Sequence, residues 1–222
     1  MVRTITIIGA GGIGSNLLCT LVPAIHRGGL ARGLGEILVK IHDSDRVSEG
    51  NIPHQRFLPS QVGSHKVEAA CAALTEFESD WLRVIPVPTD VRGPSDIGPS
   101  DLVVVAVDSP LARRIVHATA EKWLDLRCSG DGYIAIDHRV DRGSVESLTV
   151  DQKPKSCQLE GSTSNGNIQF GYLAAAAHGA QWLLQSLREI AGEEGAMQPL
   201  PQSASISFGT LGRLVLEEGA RT

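Results

Sequence analysis

The sequence of 222 residues lacks the features that mark several large protein classes. Its four cysteines, Cys19, Cys71, Cys128 and Cys157, are widely spaced and form no Cys-x-x-Cys pair. This spacing predicts neither a disulfide framework nor a structural zinc site. No apolar run reaches the roughly 18 residues that span a membrane, and the start shows no secretory-signal pattern. We therefore expect free thiols, no membrane association and a cytoplasmic location.

Positive charge is also in short supply, with a formal net charge of −5. The chain thus has no overall basic field for a phosphate backbone, and we expect no nucleic-acid partner. Hydrophobic residues make up 42% and charged residues 20%, as in ordinary globular proteins. The length suits one core, so we expect a single domain over residues 1–222.

Apolar segments alternate with helical patterns along the first half of the chain. Four segments predict strands, "TITII", "EILVKIHD", "LRVIPVP" and "DLVVVAVD", and helices are predicted over residues 12–26, 62–77 and 109–124. This order predicts an α/β fold with a doubly wound, Rossmann-like, mostly parallel sheet.

The second half predicts antiparallel strands and one long helix. Residues 132–140 and 145–150 alternate around "DRGS", which predicts a hairpin, and residues 151–165 suggest an irregular crossover loop. A long alanine-rich helix is predicted over residues 167–190, and "ASISFGTLGRLVL" predicts a closing strand pair.

A glycine-rich loop, "GAGGIG", lies between the first predicted strand and helix. Gly9, Gly11 and Gly14 fit G-x-G-x-x-G, and Gly12 lies within the same loop. In this context the loop would direct helix N–H groups at a phosphate, which indicates nucleotide binding. The alternative is a tight turn that only allows close helix packing.

Polar residues crowd the segment after the second predicted strand. A dinucleotide enzyme needs one acid there, about 20 residues after the glycine loop. This chain instead continues past Asp43 with a larger set: Asp45, Asn51, His54, Gln55, Arg56 and Lys66. Such a set suits a nucleoside triphosphate. Acids can hold the ribose or a metal ion, and cations and amides can neutralise the phosphoryl oxygens. Asp108 ends the fourth strand, and carboxyl ends of parallel strands share one edge of the sheet.

These segments together resemble the ThiF/MoeB/HesA family, the bacterial relatives of ubiquitin-activating enzymes. The resemblance rests on four ordered motifs, "GAGGIGS", "DSDRVSEGNIPHQ", "VGSHK" and "VVVAVDSPLAR". It implies an ATP-dependent adenylyltransferase that activates the C-terminal carboxylate of a small ubiquitin-like or sulfur-carrier protein. It also implies a homodimer, with ATP and Mg²⁺ as cofactors and no structural zinc.

The resemblance carries over to particular residues. Asp43 would hold the ribose, Asn51 and Lys66 would contact phosphates, and Asp108 would bind Mg²⁺ with ATP. Supporting positions in the same site would be Asp45, His54, Gln55 and Arg113.

Two departures from the family pattern leave alternatives open. His54 stands where the family has an arginine, and we expect Arg56 to supply the missing phosphate contact. The family's N-terminal helix, whose arginine reaches the partner subunit's site, is not seen ahead of the first strand, where only Arg3 lies. A catalytically weakened partner subunit is one alternative, and an NAD(P)-dependent oxidoreductase is the other.

Cys157 raises a further possibility. Some relatives pass the acyl group to a cysteine, and Cys157 lies in the predicted crossover before the long helix. A loop thiol near a helix N-terminus can be activated by a lowered pKa. Cys128 either lines the nucleotide pocket or packs, whereas Cys19 and Cys71 fall on apolar helix faces and are expected in the core.

Overall fold

The structure, a computed structural model, describes residues 2–151, 156–194 and 203–207. Seven strands in these ranges form one sheet, in the order β3-β2-β1-β4-β5-β6-β7. The strands are β1 Val2–Ile8, β2 Glu36–His42, β3 Leu82–Val87, β4 Leu102–Val105, β5 Trp123–Ser129, β6 Gly132–Asp137 and β7 Ser203–Ser207. Strands β1 to β5 are mutually parallel, and β6 and β7 are antiparallel to their neighbours. The predicted doubly wound α/β fold is confirmed.

Helices cover both faces of the sheet. They are α1 Gly12–Arg27, α2 Ala31–Leu34, α3 Lys66–Ala72, α4 Pro94–Ile97, α5 Pro110–Thr119, α6 Arg142–Leu148 and α7 Gly171–Ile190. None of the helices in the described ranges is long and apolar enough to cross a membrane.

Strand β4 shows why the central strands carry unbroken apolar sequence. All four of its residues are buried, and its side chains alternate between two cores. Leu102 and Val104 face the core that includes α1 and α7, and Val103 and Val105 face the core that includes α5. A parallel strand covered on both faces needs apolar residues at every position.

Three local predictions from the sequence differ from the structure. The helix predicted over residues 62–77 is shorter, since α3 gives way to a 3₁₀ turn at Thr75–Phe77. The helix predicted over residues 109–124 ends at Thr119, because β5 begins at Trp123. The long C-terminal helix begins at Gly171 rather than residue 167.

The predicted hairpin of residues 132–140 and 145–150 is wrong. Residues 132–137 do form a strand, β6, but its hairpin partner is β5, with Ser129 opposite Gly132. Gly130, at φ +59°, occupies the two-residue turn between them. Residues 142–148 form α6 instead of a strand, with Asp141 accepting a hydrogen bond from the Ser144 N–H at its start.

The structure describes only part of the predicted closing strand pair. Strand β7 pairs with β6, and the remainder of the predicted pair lies outside the described residues. The predicted crossover is irregular where it is described, and residues 152–155 lie outside those ranges.

Helix α7 packs against α1 and β5 through a glycine. A Cβ atom built on Gly179 would lie 2.7 Å from Leu126 Cδ1 and 3.2 Å from Leu17 Cδ1. Both leucines are fully buried. The missing side chain therefore sets how closely the long helix approaches the sheet.

Gly179→Val should destabilise the protein by about 1–3 kcal/mol, because the added methyl groups overpack a filled core. Ala177→Val is the matched control, since Ala177 is exposed on the same helix and β-branching there costs under about 0.7 kcal/mol. Urea unfolding of both variants measures the difference. Equal midpoints for the two variants would contradict the close packing at Gly179.

Candidate active site

A cavity of about 870 Å³ opens at the carboxyl edge of the parallel strands. It lies beyond the ends of β1, β2, β4 and β5, where open α/β sheets bind ligands. Most of the residues predicted from the sequence line it: Gly9, Gly11, Gly12, Asp43, Asp45, His54, Gln55, Lys66, Asp108, Arg113, Cys128 and Cys157.

The glycine loop shapes the floor of the cavity. Gly9 has a φ of +104°, and a Cβ there would lie 2.7 Å from the Ala106 carbonyl oxygen. A Cβ on Gly14 would lie 1.8 Å from the Gly9 carbonyl oxygen. Gly14 itself does not line the cavity; its role is to let α1 start close against the loop.

The loop leaves the start of α1 open to the cavity. Gly11 caps the helix without a side-chain hydrogen bond, and a Cβ built on it would meet nothing within 4 Å. The first N–H groups of a 16-residue helix therefore face the cavity with a positive dipole end. This arrangement suits an anion.

Asp43 is fixed at the end of β2. Its Oδ2 accepts a 2.7 Å hydrogen bond from the Ala10 N–H, and its Oδ1 accepts a 2.9 Å bond from the Asp45 N–H. Burial raises the pKa of the Asp43 carboxyl, while these backbone donors and Lys66 oppose the shift. The carboxylate is thus held rigidly beside the glycine loop.

Lys66 is a buried cation at the start of α3. Its Nζ lies 2.7 Å from Asp45 Oδ2, and its backbone N–H donates to the Asp45 carbonyl at 2.9 Å. Only 8% of the Lys66 side chain is exposed, against 67% of that of Asp45. The ammonium is thus buried in the cavity wall, whereas its carboxylate partner faces solvent.

Asp108 lies in the loop after β4, and Arg113 lies in the first turn of α5. Asp108 is exposed on the cavity wall. The buried Arg113 guanidinium donates to the carbonyl of Val107, the residue before Asp108, and pairs with the buried Asp125. Burial lowers the pKa of Arg113 to about 9, and the nearby Arg127 adds to the effect. Arg113 holds the backbone in place rather than presenting its charge.

Asn51 and Arg56 are not brought to the cavity lining. Asn51 Oδ1 accepts a 2.9 Å hydrogen bond from the Ser48 N–H and so caps its own 3₁₀ turn, Glu49–Asn51. The Arg56 side chain interacts with Cys19 and lines a separate apolar cavity. His54, in contrast, is buried in the wall of the main cavity.

His54 and Gln55 carry polar atoms with no partner in the described part of the chain. These are His54 Nδ1 and Gln55 Oε1. The two side chains approach each other at 3.4 Å through His54 Nε2 and Gln55 Nε2. Buried polar atoms are normally hydrogen-bonded, so these two are available to a ligand or to water in the cavity.

Three acidic or basic residues of the cavity, one Asp and two Arg, are not predicted from the sequence. Asp90 and Arg92 follow β3, and Arg127 lies in β5. Hydrogen bonding from Ser44 lowers the pKa of Asp90. The rule that polar residues after a parallel strand gather at one edge of the sheet identifies Asp90 and Arg92. Arg127 gives no such signal, because the sequence pattern places the first residues of its strand in a helix.

Cys157 lies directly against the glycine loop. A Cβ built on Gly12 would be 3.2 Å from Cys157 Sγ and 3.4 Å from the His54 carbonyl oxygen. A hydrogen bond from Cys128 lowers the pKa of Cys157 to about 5, against the effect of burial and with help from His54. The same pairing raises the pKa of Cys128, as burial also does. The pairing therefore favours the thiolate form of Cys157 over that of Cys128.

Alkylation of Cys157 by iodoacetamide should be fast at neutral pH and should slow only as the pH falls through about 5. Only the thiolate reacts, and its fraction above that pH is nearly complete. Cys71 is the internal control, because burial raises its pKa to about 12. Mass spectrometry of the labelled peptides follows both residues.

Cys128→Ala should raise the pKa of Cys157 more than His54→Gln does, because the Cys128 hydrogen bond is the larger cause of its lowering. A wild-type labelling rate that still climbs steeply through pH 9 would contradict the lowered pKa.

The fold is similar to that of solved structures. The E. coli MccB structure with ATP has a TM-score of 0.60 and 17% identity, and the match covers 92% of this chain and 60% of that one. The microcin C7 biosynthetic enzyme MccB with N-formylated MccA gives a TM-score of 0.59, 17% identity and 92% and 61% coverage. PaaA gives a TM-score of 0.60, 16% identity and 94% and 70% coverage.

At these identities the structural similarity shows a shared fold. The chain spans about 60% of the length of the MccB chains. No curated protein sequence matches it significantly.

Membership of a family rests on the sequence itself. The profile of the ThiF family matches residues 3–193, a span that contains the glycine loop, every cavity residue described above and α7. The chain belongs to the ThiF family.

Proposed function

We propose that the protein uses ATP to adenylate the C-terminal carboxylate of a small ubiquitin-like or sulfur-carrier-like protein, or of a peptide. The observation that carries the proposal is the convergence of Asp43, Lys66 and Asp108 on one cavity at the glycine loop. These side chains come from three separate segments and supply two carboxylates and a buried ammonium.

The cavity residues fit ATP. A volume of about 870 Å³ lies within the roughly 300–1,000 Å³ of small-ligand sites. The open N-terminus of α1 and Lys66 present positive charge for phosphates, and the fixed carboxylate of Asp43 can accept hydrogen bonds from ribose hydroxyls.

The proposed reaction needs charge neutralisation more than acid–base catalysis. A carboxylate oxygen of the substrate attacks the α-phosphorus, a P–O bond forms, and the bond to the leaving pyrophosphate breaks. Lys66 and the N–H groups of α1 would offset the charge on the phosphoryl oxygens. Holding the two reactants in line supplies much of the remaining rate.

Asp108 would hold Mg²⁺ through its exposed carboxylate. The ion would supply neutralisation of the phosphate oxygens when it is bound with ATP. Arg113 would act through Asp108, because it holds the Val107 carbonyl next to it.

The proposal extends to the substrate that is adenylated and to the step that follows. MccB has been solved with ATP and with the peptide MccA, which supports a small protein or peptide as the substrate. After adenylation, the Cys157 thiolate would attack the activated carbonyl, forming a thioester and releasing AMP. A second copy of the chain is proposed as the assembly partner.

A catalytically weakened subunit is the competing proposal. It is favoured by one observation: the guanidinium of Arg56 lies outside the main cavity, against Cys19. Any phosphate contact at this position must therefore come from His54, whose ring cannot supply the bidentate fork of a guanidinium.

Asp108→Asn should lower ATP–pyrophosphate exchange by one to two decades, because a charge-assisted contact to the metal is worth about 1.5–3 kcal/mol. Asp80→Asn makes the same charge change at an exposed residue outside the cavity and should leave exchange unchanged. The measurement uses Mg-ATP and a candidate carrier with a free C-terminus. Equal exchange rates in the two variants would remove Asp108 from the mechanism.

His54→Ala should lose more adenylation than Arg56→Ala, because only His54 faces the main cavity. This order reverses the expectation from the sequence, in which Arg56 replaced the family arginine. The rates of pyrophosphate exchange decide between them. Wild-type levels of exchange in His54→Ala would show that this position carries no phosphate contact, and an absence of exchange in wild type with every carrier would favour the weakened subunit.

A further inference from the structure

Two thiols meet in the wall of the main cavity. Cys128 lies near the end of β5, and Cys157 lies in the segment that leads to α7. Their side chains are hydrogen-bonded to each other, both are unoxidised, and both line the cavity. Two cysteines far apart in the sequence thus share one solvent-accessible site.

The backbone fixes this meeting. The Gly130 N–H, in the turn after β5, donates a 2.8 Å hydrogen bond to the Cys157 carbonyl. The Gly171 N–H, at the start of α7, donates a 3.1 Å bond to the Gly130 carbonyl. The turn therefore ties the Cys157 segment to the strand that carries Cys128.

The two thiols have different neighbours, which give them different acidities. Cys157 Sγ faces Gly12 at the start of α1, with the buried His54 beside it and Gln158 donating to it. Tyr172 of α7 also faces the pair, and Arg113 lies near Cys128. These contacts lower the pKa of Cys157 and raise that of Cys128, so they favour Cys157 as the attacking thiolate.

We propose that Cys128 and Cys157 form a redox-active pair that closes to an intramolecular disulfide when a low-molecular-weight disulfide enters the cavity. This site goes beyond the proposed adenylation, since it needs neither nucleotide nor carrier. Its substrate class is a small organic disulfide, of which oxidised glutathione is the ordinary cellular example.

The reaction proceeds in two balanced exchanges. The Cys157 thiolate attacks one sulfur of the external disulfide, forms a mixed disulfide and expels the first thiolate, which takes up a proton. Cys128 then loses its proton to solvent and attacks Cys157 Sγ, which expels the second thiolate. In total one external disulfide is reduced to two thiols, and two cysteines are oxidised to one disulfide.

Closure of the disulfide would remove the only low-pKa thiolate described in the cavity wall. Any reaction that uses Cys157 as a nucleophile would stop, and a reductant would restore it. The activity of Cys157 would thus depend on the ratio of small disulfides to thiols around the protein.

The test treats the full-length protein with oxidised glutathione and measures its intact mass. Wild type should lose two hydrogens and retain no glutathione, and peptide mapping should link Cys128 to Cys157. Cys128→Ser should retain glutathione on Cys157, because the second exchange is blocked. Cys19→Ser and Cys71→Ser are the matched controls and should still form the disulfide.

A second measurement follows the rate at which Cys157 is alkylated. Oxidised wild type should react with iodoacetamide at Cys157 at least tenfold more slowly than reduced protein, and dithiothreitol should restore the rate. Wild type that stays reduced, or that stops at a glutathione adduct, would overturn the proposal. A disulfide that persists in Cys128→Ser through Cys19 or Cys71 would overturn it as well.

Discussion

The buried carboxylate of Asp125 holds together the two strand ends on which the site is built. It is fully buried and is surrounded by Arg113, Arg127 and His117. Burying such a charge is costly, and removing one partner of a buried pair typically costs about 3–5 kcal/mol. Through this carboxylate Arg113 is fixed against the carbonyl oxygens of Val107 and Leu126. The Val107 carbonyl precedes Asp108 in the loop after β4, and the Leu126 carbonyl precedes Arg127 and Cys128 in β5. One ion pair therefore positions both the proposed metal ligand and one of the two thiols.

The sequence predicts some strands of the sheet well, and β5, which carries Asp125, poorly. Strands β1, β2 and β4 are apolar, β-branched and followed by polar or glycine residues, so their fold and their site residues could be predicted together. Strand β5 could not, because its sequence "WLDLRCS" carries Asp125 and Arg127 at positions that are normally apolar. Nothing local signals that partners from α5 neutralise Asp125. The sequence pattern therefore favours a turn at "DRGS", which in the structure begins α6, over the actual hairpin turn at Gly130.

The sequence predicts which residues belong to the site better than it predicts where their side chains point. The sequence places His54, Gln55 and Arg56 side by side, and the electrostatic argument for a strong cation selected Arg56. The chain direction after the 3₁₀ turn decides otherwise, since His54 points into the main cavity and Arg56 points towards Cys19. Similarly, the proximity of Cys128 to Cys157 depends on the β5–β6 turn and on backbone hydrogen bonds that no spacing rule encodes.

The place of β1 in the centre of the sheet has a consequence for how the chain is made. β1 pairs with β2 on one side, and on the other side its Ile5 pairs with Leu102 of β4. Synthesis at about 5–20 residues per second leaves one edge of β1 without its neighbour until the chain has passed β4. An apolar strand with an open edge is a template for association with other chains. The nascent chain therefore exposes an apolar strand edge throughout this interval, and pairing with β4 closes that edge.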